Sequence, residues 1–352
     1  MIRPALARLH RYVGLALAGY LVIAGLTGSV ITFQHEIDGW LNADLMRPGG
    51  QGRRPLAEQE AAVRSAYPAA PILMVVFDEA TAFSVLQGRA VRTVFVDPAT
   101  ARVLGDRAAD GDCCDRRTVL RFLYVLHYSL HGGPLLRLIL GGVALAWFLD
   151  CFIGFYLTLP RGRPFWPKWR PAWMLKRGAS ATRLTFDLHR AGGLWPWALL
   201  AIIAFSGAYL NLRGPFSALI PVTKSVLSTK PAISAGPPLL DYAAAQAVAE
   251  AAGFGRLQFL WYGEAHGLYM AGFEAPAGGR TDLLIDGRSG QVVETRIFAG
   301  GTAADLFADL QLPLHSGRVA GLPGRILVCA TGIATAVLSV TGVLIWWRRR
   351  RR

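Results

Sequence analysis

The sequence Leu9-His10-Arg11-Tyr12-Val13-Gly14-Leu15 leads directly into an apolar segment that is long enough to cross a bilayer. The same frame returns half a chain later as Leu188-His189-Arg190-Ala191-Gly192-Gly193-Leu194, again at the start of an apolar segment. Thr27-Gly28 follows the first histidine and Ser206-Gly207 follows the second at identical spacing. One histidine is therefore repeated at the same edge of two apolar segments.

A second histidine frame also recurs with identical spacing. Its members are Leu126-His127, Gly133, Arg137 and Gly154 in the first copy, and Leu314-His315, Gly321, Arg325 and Gly342 in the second. Together the two frames predict a tandem duplication in which each half carries two histidines at the edges of apolar segments. Imidazoles at such positions are costly to bury and are usually functional.

Four segments have the length and apolar character of membrane-spanning helices, which need about 20 residues. They are residues 13–33, 138–159, 191–212 and 326–347. The whole chain is 53% hydrophobic and only 17% charged, which is typical of a membrane protein. Arginines precede the first segment as in a signal peptide, but no small-residue cleavage site follows it, so we expect an uncleaved anchor.

The net charge of +14 is concentrated in three places. Three arginines precede the first span, eight Lys and Arg residues accompany one acid in residues 160–190, and five arginines end the chain. Because cytoplasmic flanks of membrane helices carry the excess of positive charge, both termini and the central loop are expected in the cytoplasm. The distribution gives no indication of nucleic-acid binding.

The two segments outside the cytoplasm, residues 38–118 and 213–312, have the composition of soluble α+β domains. Each contains a predicted helix, at 56–67 and 241–252, followed by short strands and tight turns. The predicted strands are 72–77, 82–86, 91–96 and a hairpin closing at 102–105, and then 257–262, 267–273, 282–286 and 291–294. Residues 231–238 are predicted to be a linker because they are rich in Pro, Gly and Ser.

The predicted fold is a membrane α-helical protein, a four-helix transmembrane bundle from a tandem duplication, with two small α+β periplasmic domains. Its parts are the cytoplasmic N-terminus with helix one (1–37), a periplasmic domain (38–118), a histidine segment with helix two (119–160), a basic cytoplasmic loop (161–190), helix three (191–212), a second periplasmic domain (213–312), and helix four with an Arg-rich cytoplasmic tail (313–352). Because each half holds two spans, a pseudo-twofold axis along the membrane normal would relate the halves.

That axis would bring equivalent histidines face to face. His10 is expected opposite His189 near the cytoplasmic side, and His127 opposite His315 near the outer side. Two facing imidazoles can ligate a haem iron, and four-helix bundles commonly hold cofactors on facing helices. We therefore predict two haems, one in each leaflet, that together carry electrons across the membrane.

Several neighbouring residues have two interpretations each. The arginines beside the histidines either pair with haem propionates or contact lipid phosphates, and they are Arg11, Arg190, Arg137 and Arg325. The repeated glycines either make room for a flat cofactor or allow close helix packing, and they are Gly14, Gly28, Gly193 and Gly207. His131, one helical turn beyond His127, is the rival outer ligand.

Two further features are left open by the sequence. Asp150 lies within the second span, where the repeat has Leu338, and it either belongs to a proton or quinol path or is a neutral buried carboxyl. Cys113-Cys114 is either an exposed redox pair or a pair of cysteines with no defined partner. No glycine-rich nucleotide or flavin motif is present, so another protein or a quinol must deliver the electrons.

These residues resemble the PepSY-associated transmembrane family of bacterial inner-membrane proteins. Besides the histidine frames, the resemblance rests on Gly25-Leu26-Thr27-Gly28 and Gly321-Leu322-Pro323. Asp97-Pro98-Ala99-Thr100 and Asp286-Gly287-Arg288-Ser289-Gly290 are similar to the closing turn of PepSY domains, although Gly287 stands where proline is usual. The resemblance covers nearly the whole chain.

The resemblance implies two b-type haems held by His10, His189, His127 and His315. Similar members include iron-regulated proteins and ferric-siderophore reductases, which implies that electrons cross to the periplasm, reduce siderophore-bound Fe(III) and release Fe(II). Many members have no known activity. A membrane-anchored PepSY module that binds or regulates an envelope protease or partner is therefore the second hypothesis, and a transporter is the third.

Overall fold

The computed structural model describes residues 2–220, 236–274, 280–297 and 302–351. The chain forms two compact units. One comprises Met1–Gln34, Leu123–Pro221 and Phe307–Arg352 and is helical; the other comprises His35–Phe122 and Val222–Leu306 and contains the β-sheet. Of the predicted linker at 231–238, residues 231–235 lie outside the described residues.

The helices have the following bounds: α1 (Ile2–Ile31), α2 (Gln34–Leu41), α3 (Ala43–Met46), α4 (Leu56–Ala66), α5 (Val119–Ser129), α6 (Gly133–Thr158), α7 (Phe165–Trp169), α8 (Ala181–Leu194), α9 (Trp197–Asn211), α10 (Arg213–Leu219), α11 (Tyr242–Ala251), α12 (Ala303–Ser316) and α13 (Gly321–Arg350). The strands are β1 (Ile72–Phe77), β2 (Thr81–Gln87), β3 (Ala90–Asp97), β4 (Arg102–Ala108), β5 (Arg256–Gly263), β6 (Leu268–Glu274), β7 (Arg280–Asp286) and β8 (Val292–Ile297).

Within the described residues, α1, α6 and α13 are each long and apolar enough to cross a membrane. The third predicted span, residues 191–212, is not one straight helix, because α8 and α9 meet at a bend of 68°. The break falls at Trp195-Pro196, where proline lacks the N–H that a continuous helix needs. Taken as one bent span, this pair gives a fourth crossing, and the chain is a multi-pass membrane protein.

Small residues let α1 and α13 approach each other closely. A Cβ atom at Gly25 would overlap the carbonyl oxygen of Gly332, so neither position has room for a side chain. The hydroxyl of Ser29 on α1 lies 2.8 Å from the carbonyl oxygens of both Gly25 and Cys329. Inside a bilayer the hydrophobic effect does not drive helices together, so helices commonly associate through close packing at small residues such as glycine and serine.

The second unit contains one antiparallel sheet of eight strands in the order β4-β3-β2-β1-β5-β6-β7-β8. The predicted strands are all present, but the two small domains expected from the sequence share this single sheet. They join where β1 pairs with β5, with Val75 opposite Leu260. Helices α4 and α11 contribute Val63 and Ala245 to one hydrophobic core with both halves of the sheet.

Candidate functional site

The helical unit brings the four repeated histidines together as two pairs. The ring centroids of His10 on α1 and His189 on α8 are 6.2 Å apart, and the rings are inclined at 60°. The centroids of His127 on α5 and His315 on α12 are 6.0 Å apart, with an inclination of 61°. These are the two pairings expected from the sequence repeat, and their geometries are nearly the same.

Each imidazole lies against a glycine of a neighbouring helix. A Cβ atom added to Gly28 would lie 2.9 Å from Cε1 of His127. The corresponding distances are 3.3 Å from Gly154 to His10, 3.1 Å from Gly207 to His315 and 3.1 Å from Gly342 to His189. We call these four positions the seat glycines, because a side chain there would push the ring away.

The seat glycines resolve part of the ambiguity about the repeated glycines. Gly28 and Gly207 accommodate an imidazole, which is neither of the two roles considered from the sequence. By contrast, a Cβ at Gly14 would have no atom within 4 Å, and one at Gly193 would contact only the Leu338 side chain at 3.7 Å. Gly154 and its equivalent Gly342 belong to the second repeated histidine frame, so the identical spacing from His127 and His315 indicated from the sequence that both positions require glycine.

A backbone carbonyl fixes the tautomer of His127. Its Nδ1 lies 3.0 Å from the carbonyl oxygen of Ala24 and 3.1 Å from the hydroxyl of Thr27. A carbonyl oxygen only accepts hydrogen bonds, so Nδ1 must carry the proton. The Thr27 hydroxyl donates to Ile23 at 2.7 Å and is therefore free to accept from Nδ1 as well.

The same arrangement holds His315 and His189. The Nδ1 of His315 lies 3.1 Å from the Ile203 carbonyl and 3.0 Å from the Ser206 hydroxyl. The Nδ1 of His189 lies 3.0 Å from the Leu338 carbonyl and 3.2 Å from the Thr341 hydroxyl. A proton on Nδ1 leaves the lone pair of Nε2 available to a metal, as is usual for ligating histidines.

His10 is held differently. Its Nδ1 lies 2.9 Å from Oδ2 of Asp150, although the contact lacks the direction of a straight hydrogen bond. Asp150 is only 6% exposed, and its Oδ1 has no hydrogen-bond partner among the described residues. Asp150 aligns with Leu338 in the repeat, but Leu338 contacts His189 through its backbone carbonyl, whereas Asp150 contacts His10 through its side chain.

A cavity of about 690 Å³ adjoins the His10–His189 pair. Both imidazoles line it, together with Asp150 and the glycines Gly14 and Gly193. Arginines from all three basic segments of the chain also line it, namely Arg3, Arg11, Arg161, Arg190, Arg349 and Arg350. The cavity therefore has an apolar interior with imidazoles and a strongly cationic lining, which suits a flat apolar molecule with anionic groups.

The four predicted propionate-binding arginines have different surroundings. Arg11 and Arg190 line the cavity, and Arg190 also donates to Asp187 at 2.9 Å and to the carbonyl of Pro171 at 2.6 Å. Arg137 donates to the carbonyl of Leu210 at 2.9 Å, and Arg325 to that of Thr32 at 2.9 Å. The last two thus hold carbonyl groups at the ends of α9 and α1.

The remaining histidines lie on turns or on α2. His131, the rival ligand, is exposed in the turn after α5, where its φ of 58° ends the helix, and the partner of His315 is His127. His35 is exposed on α2, and His266 lies in the turn between β5 and β6.

The two pairs fit a metal bound between imidazoles. An imidazole nitrogen binds a first-row metal at about 2 Å, so two rings on opposite sides of one metal have centres roughly 6 Å apart. Both observed separations agree with this value. Three of the four half-buried rings are preset by a carbonyl contact in the tautomer that offers Nε2, and there is room for a cofactor beside the His10–His189 pair.

A different cluster is a poorer candidate for a metal. Within the described part of the chain, Asp112, Cys113 and Cys114 form the one group of three or more potential ligand atoms, and all three residues are exposed. The Sγ atoms of the cysteines are 2.9 Å apart, and the hydrogen bond with Cys114 raises the pKa of Cys113 to about 11. A thiol that stays protonated at neutral pH is a weak metal ligand.

The carbonyl contacts predict a measurable tautomer. Solid-state 15N NMR of histidine-labelled protein should show His127, His189 and His315 protonated at Nδ1, each assigned by the loss of its signal in a His→Gln variant. Exposed His35 provides the internal comparison for a solvated ring. Signals of the Nε2-protonated tautomer for these three half-buried rings would contradict the hydrogen bonding described above.

A comparison with known protein families identifies the family of the chain. The model of the PepSY-associated TM region matches residues 7–349, which include both histidine pairs and all four seat glycines. No curated protein matches the sequence. Since the match covers nearly the whole chain, the protein belongs to the PepSY-associated transmembrane family.

Proposed function

We propose that this protein is a di-haem b electron conduit of the bacterial inner membrane, which reduces a periplasmic acceptor such as a ferric-siderophore. The observation that carries the proposal is the pair of matched bis-imidazole sites. Both have ring separations near 6 Å, and three of their four rings have Nδ1 bound to a backbone carbonyl. Helix packing without a cofactor would require neither the same tautomer in three histidines nor the same ring separation in both pairs.

His10 and His189 would hold one haem, and His127 and His315 the other. When bound, each haem would supply a one-electron carrier, and ligation by two histidines would favour electron transfer over oxygen binding. The cavity beside His10 supports this assignment because its arginines are suited to propionates. Arg11 and Arg190 remain the candidates for that role at this site.

A tandem duplication that forms a four-helix transmembrane bundle is part of the proposal. It is supported by the equivalence of the seats, because Gly28 and Gly207 receive His127 and His315, while Gly154 and Gly342 receive the other two rings. Further support comes from the basic segments. Arg3 donates to the carbonyl of Leu157 and Arg348 to that of Ala181, so the start of α1 and the end of α13 each contact a neighbouring helix beside the basic loop.

This end of the helices would face the cytoplasm, in keeping with the positive-inside rule. The His10–His189 pair would then lie on the inner side and the His127–His315 pair on the outer side. An electron that moves outward is driven by the membrane potential, by about 2.3 kcal/mol per 100 mV. At the outer side the substrate Fe(III) would gain one electron and leave as Fe(II), and a quinol or a cytoplasmic protein would supply that electron.

The assignment predicts a definite haem stoichiometry. Purified wild-type protein in detergent should contain two haems per chain and show a b-type spectrum on reduction with dithionite. His10→Ala or His189→Ala should remove one haem, and His127→Ala or His315→Ala the other, because one imidazole cannot saturate the iron. Pyridine haemochrome assays measure the content, and gel filtration checks the fold.

His35→Ala and His131→Ala are the matched controls and should keep both haems. Loss of the outer haem from His131→Ala would transfer the ligand role to the rival histidine. Equal loss of both haems from all four well-folded variants would contradict the two-site assignment. Colourless protein from haem-replete cells would favour the anchored PepSY module instead.

The acceptor assignment has its own test. Dithionite-reduced protein, freed of excess reductant and mixed anaerobically with a ferric hydroxamate siderophore, should be reoxidised and release Fe(II) to a ferrous-specific chelator. The gallium complex of the same siderophore is the control, because Ga(III) has the charge and size of Fe(III) but does not accept an electron. Reoxidation that is no faster with the ferric than with the gallium complex would exclude this class of acceptor.

A further inference from the structure

We infer that Asp150 makes the His10–His189 site the lower-potential of the two redox sites and so sets the direction of electron flow. This inference rests on the proposed function, because it concerns the haem that this pair would hold. It assigns Asp150 the role of a positioning and tuning residue, which neither the family match nor the repeat gives it.

The contacts of the four histidines beside the seat glycines follow one pattern with one exception. In three of them the Nδ1 acceptor is the backbone carbonyl four residues before the seat glycine, and a hydroxyl precedes that glycine directly. The acceptors and hydroxyls are Ala24 and Thr27, Ile203 and Ser206, and Leu338 and Thr341. In the fourth seat the same two positions hold Asp150 and Ile153, so the hydroxyl is missing and a carboxylate contacts the ring instead.

The exception changes the charge beside the metal ligand. A carbonyl is a neutral acceptor, whereas the Asp150 carboxylate brings a negative charge to within 2.9 Å of His10 Nδ1. Asp150 is 6% exposed, so water screens its charge weakly. Its Oδ1 has no hydrogen-bond partner among the described residues. Arginines line the same cavity, but the ion pair described for this carboxylate is the one with His10.

Such a charge stabilises the oxidised state of a metal more than the reduced state. His189, the other ligand of the site, has only neutral acceptors, Leu338 and Thr341. The His127–His315 site has no carboxylate in contact with either ring among the described contacts, so its potential should be the higher one.

An inner site of lower potential and an outer site of higher potential form a downhill step towards the outer side. The duplication relates His10 to His189 and His127 to His315, so it matches the two ligands within each site and does not make the two sites alike. Within the His10–His189 site the halves differ at one ring contact, because Asp150 stands where the other half has Leu338. The charge of this carboxylate lowers the potential of the site that it adjoins.

A redox titration of the holoprotein followed by optical spectroscopy tests the inference. Wild-type protein should titrate in two waves, and His127→Ala, which lacks the outer haem, should retain the lower one. Asp150→Asn keeps a hydrogen-bond acceptor but removes the charge. The midpoint potential of the lower wave should therefore rise, and the difference between the two midpoint potentials should decrease. Asp150→Glu should keep the lower wave near its wild-type position, and the upper wave is the internal control in both Asp150 variants.

The outcomes separate the inference from the function on which it rests. A haem-free wild-type protein overturns the proposed function and the inference with it. A protein with two haems whose lower wave does not move in Asp150→Asn overturns the inference alone. Loss of one haem from Asp150→Asn would show that Asp150 supports the structure of the haem site, and this result would also overturn the inference. Asp150→Leu, which introduces the residue found at the equivalent position 338, should then lose the haem as well.

Discussion

A buried imidazole must find an acceptor for its N–H group, and this requirement organises the helical unit. In a helix every carbonyl already accepts one hydrogen bond, but it has a second lone pair. The absence of a side chain at Gly28 lets His127 come close enough to use that lone pair at Ala24. The glycine, the carbonyl four residues earlier and the adjacent hydroxyl therefore act as one unit, which fixes both the position and the tautomer of the ring.

Repetition of this unit explains how two halves of different sequence build similar sites. Three of the seats keep only a glycine, a hydroxyl residue and a histidine, and the seat of His10 has Asp150 and Ile153 at the corresponding positions. The apolar residues between these positions are free to vary. In His127, His189 and His315 the carbonyl contact occupies Nδ1 and leaves Nε2 available to a metal. Two imidazoles with ring centroids about 6 Å apart are the arrangement that a bis-histidine metal site requires. The conduit that we propose follows from having two such sites in one membrane unit.

Much of this arrangement was predictable from the sequence, since identical spacing of His10 and His189 indicated which rings would meet. The strands were also predictable, because alternation and turn residues are local signals. The pairing of β1 with β5 was not, because two edge strands from distant parts of the chain decide it. Pro196 should have indicated the break between α8 and α9, but the apolar run across it concealed the break. The contact between Asp150 and His10 depends on helix register, which composition alone does not give.

The most direct measurement of the central claim is low-temperature electron paramagnetic resonance of the oxidised, purified protein. If both pairs hold iron between two imidazoles, the spectrum should contain two low-spin ferric signals that together account for two irons per chain. His10→Ala and His127→Ala should each remove a different one of them. A spectrum dominated by high-spin ferric iron, or one with no iron signal in protein from haem-replete cells, would contradict the account.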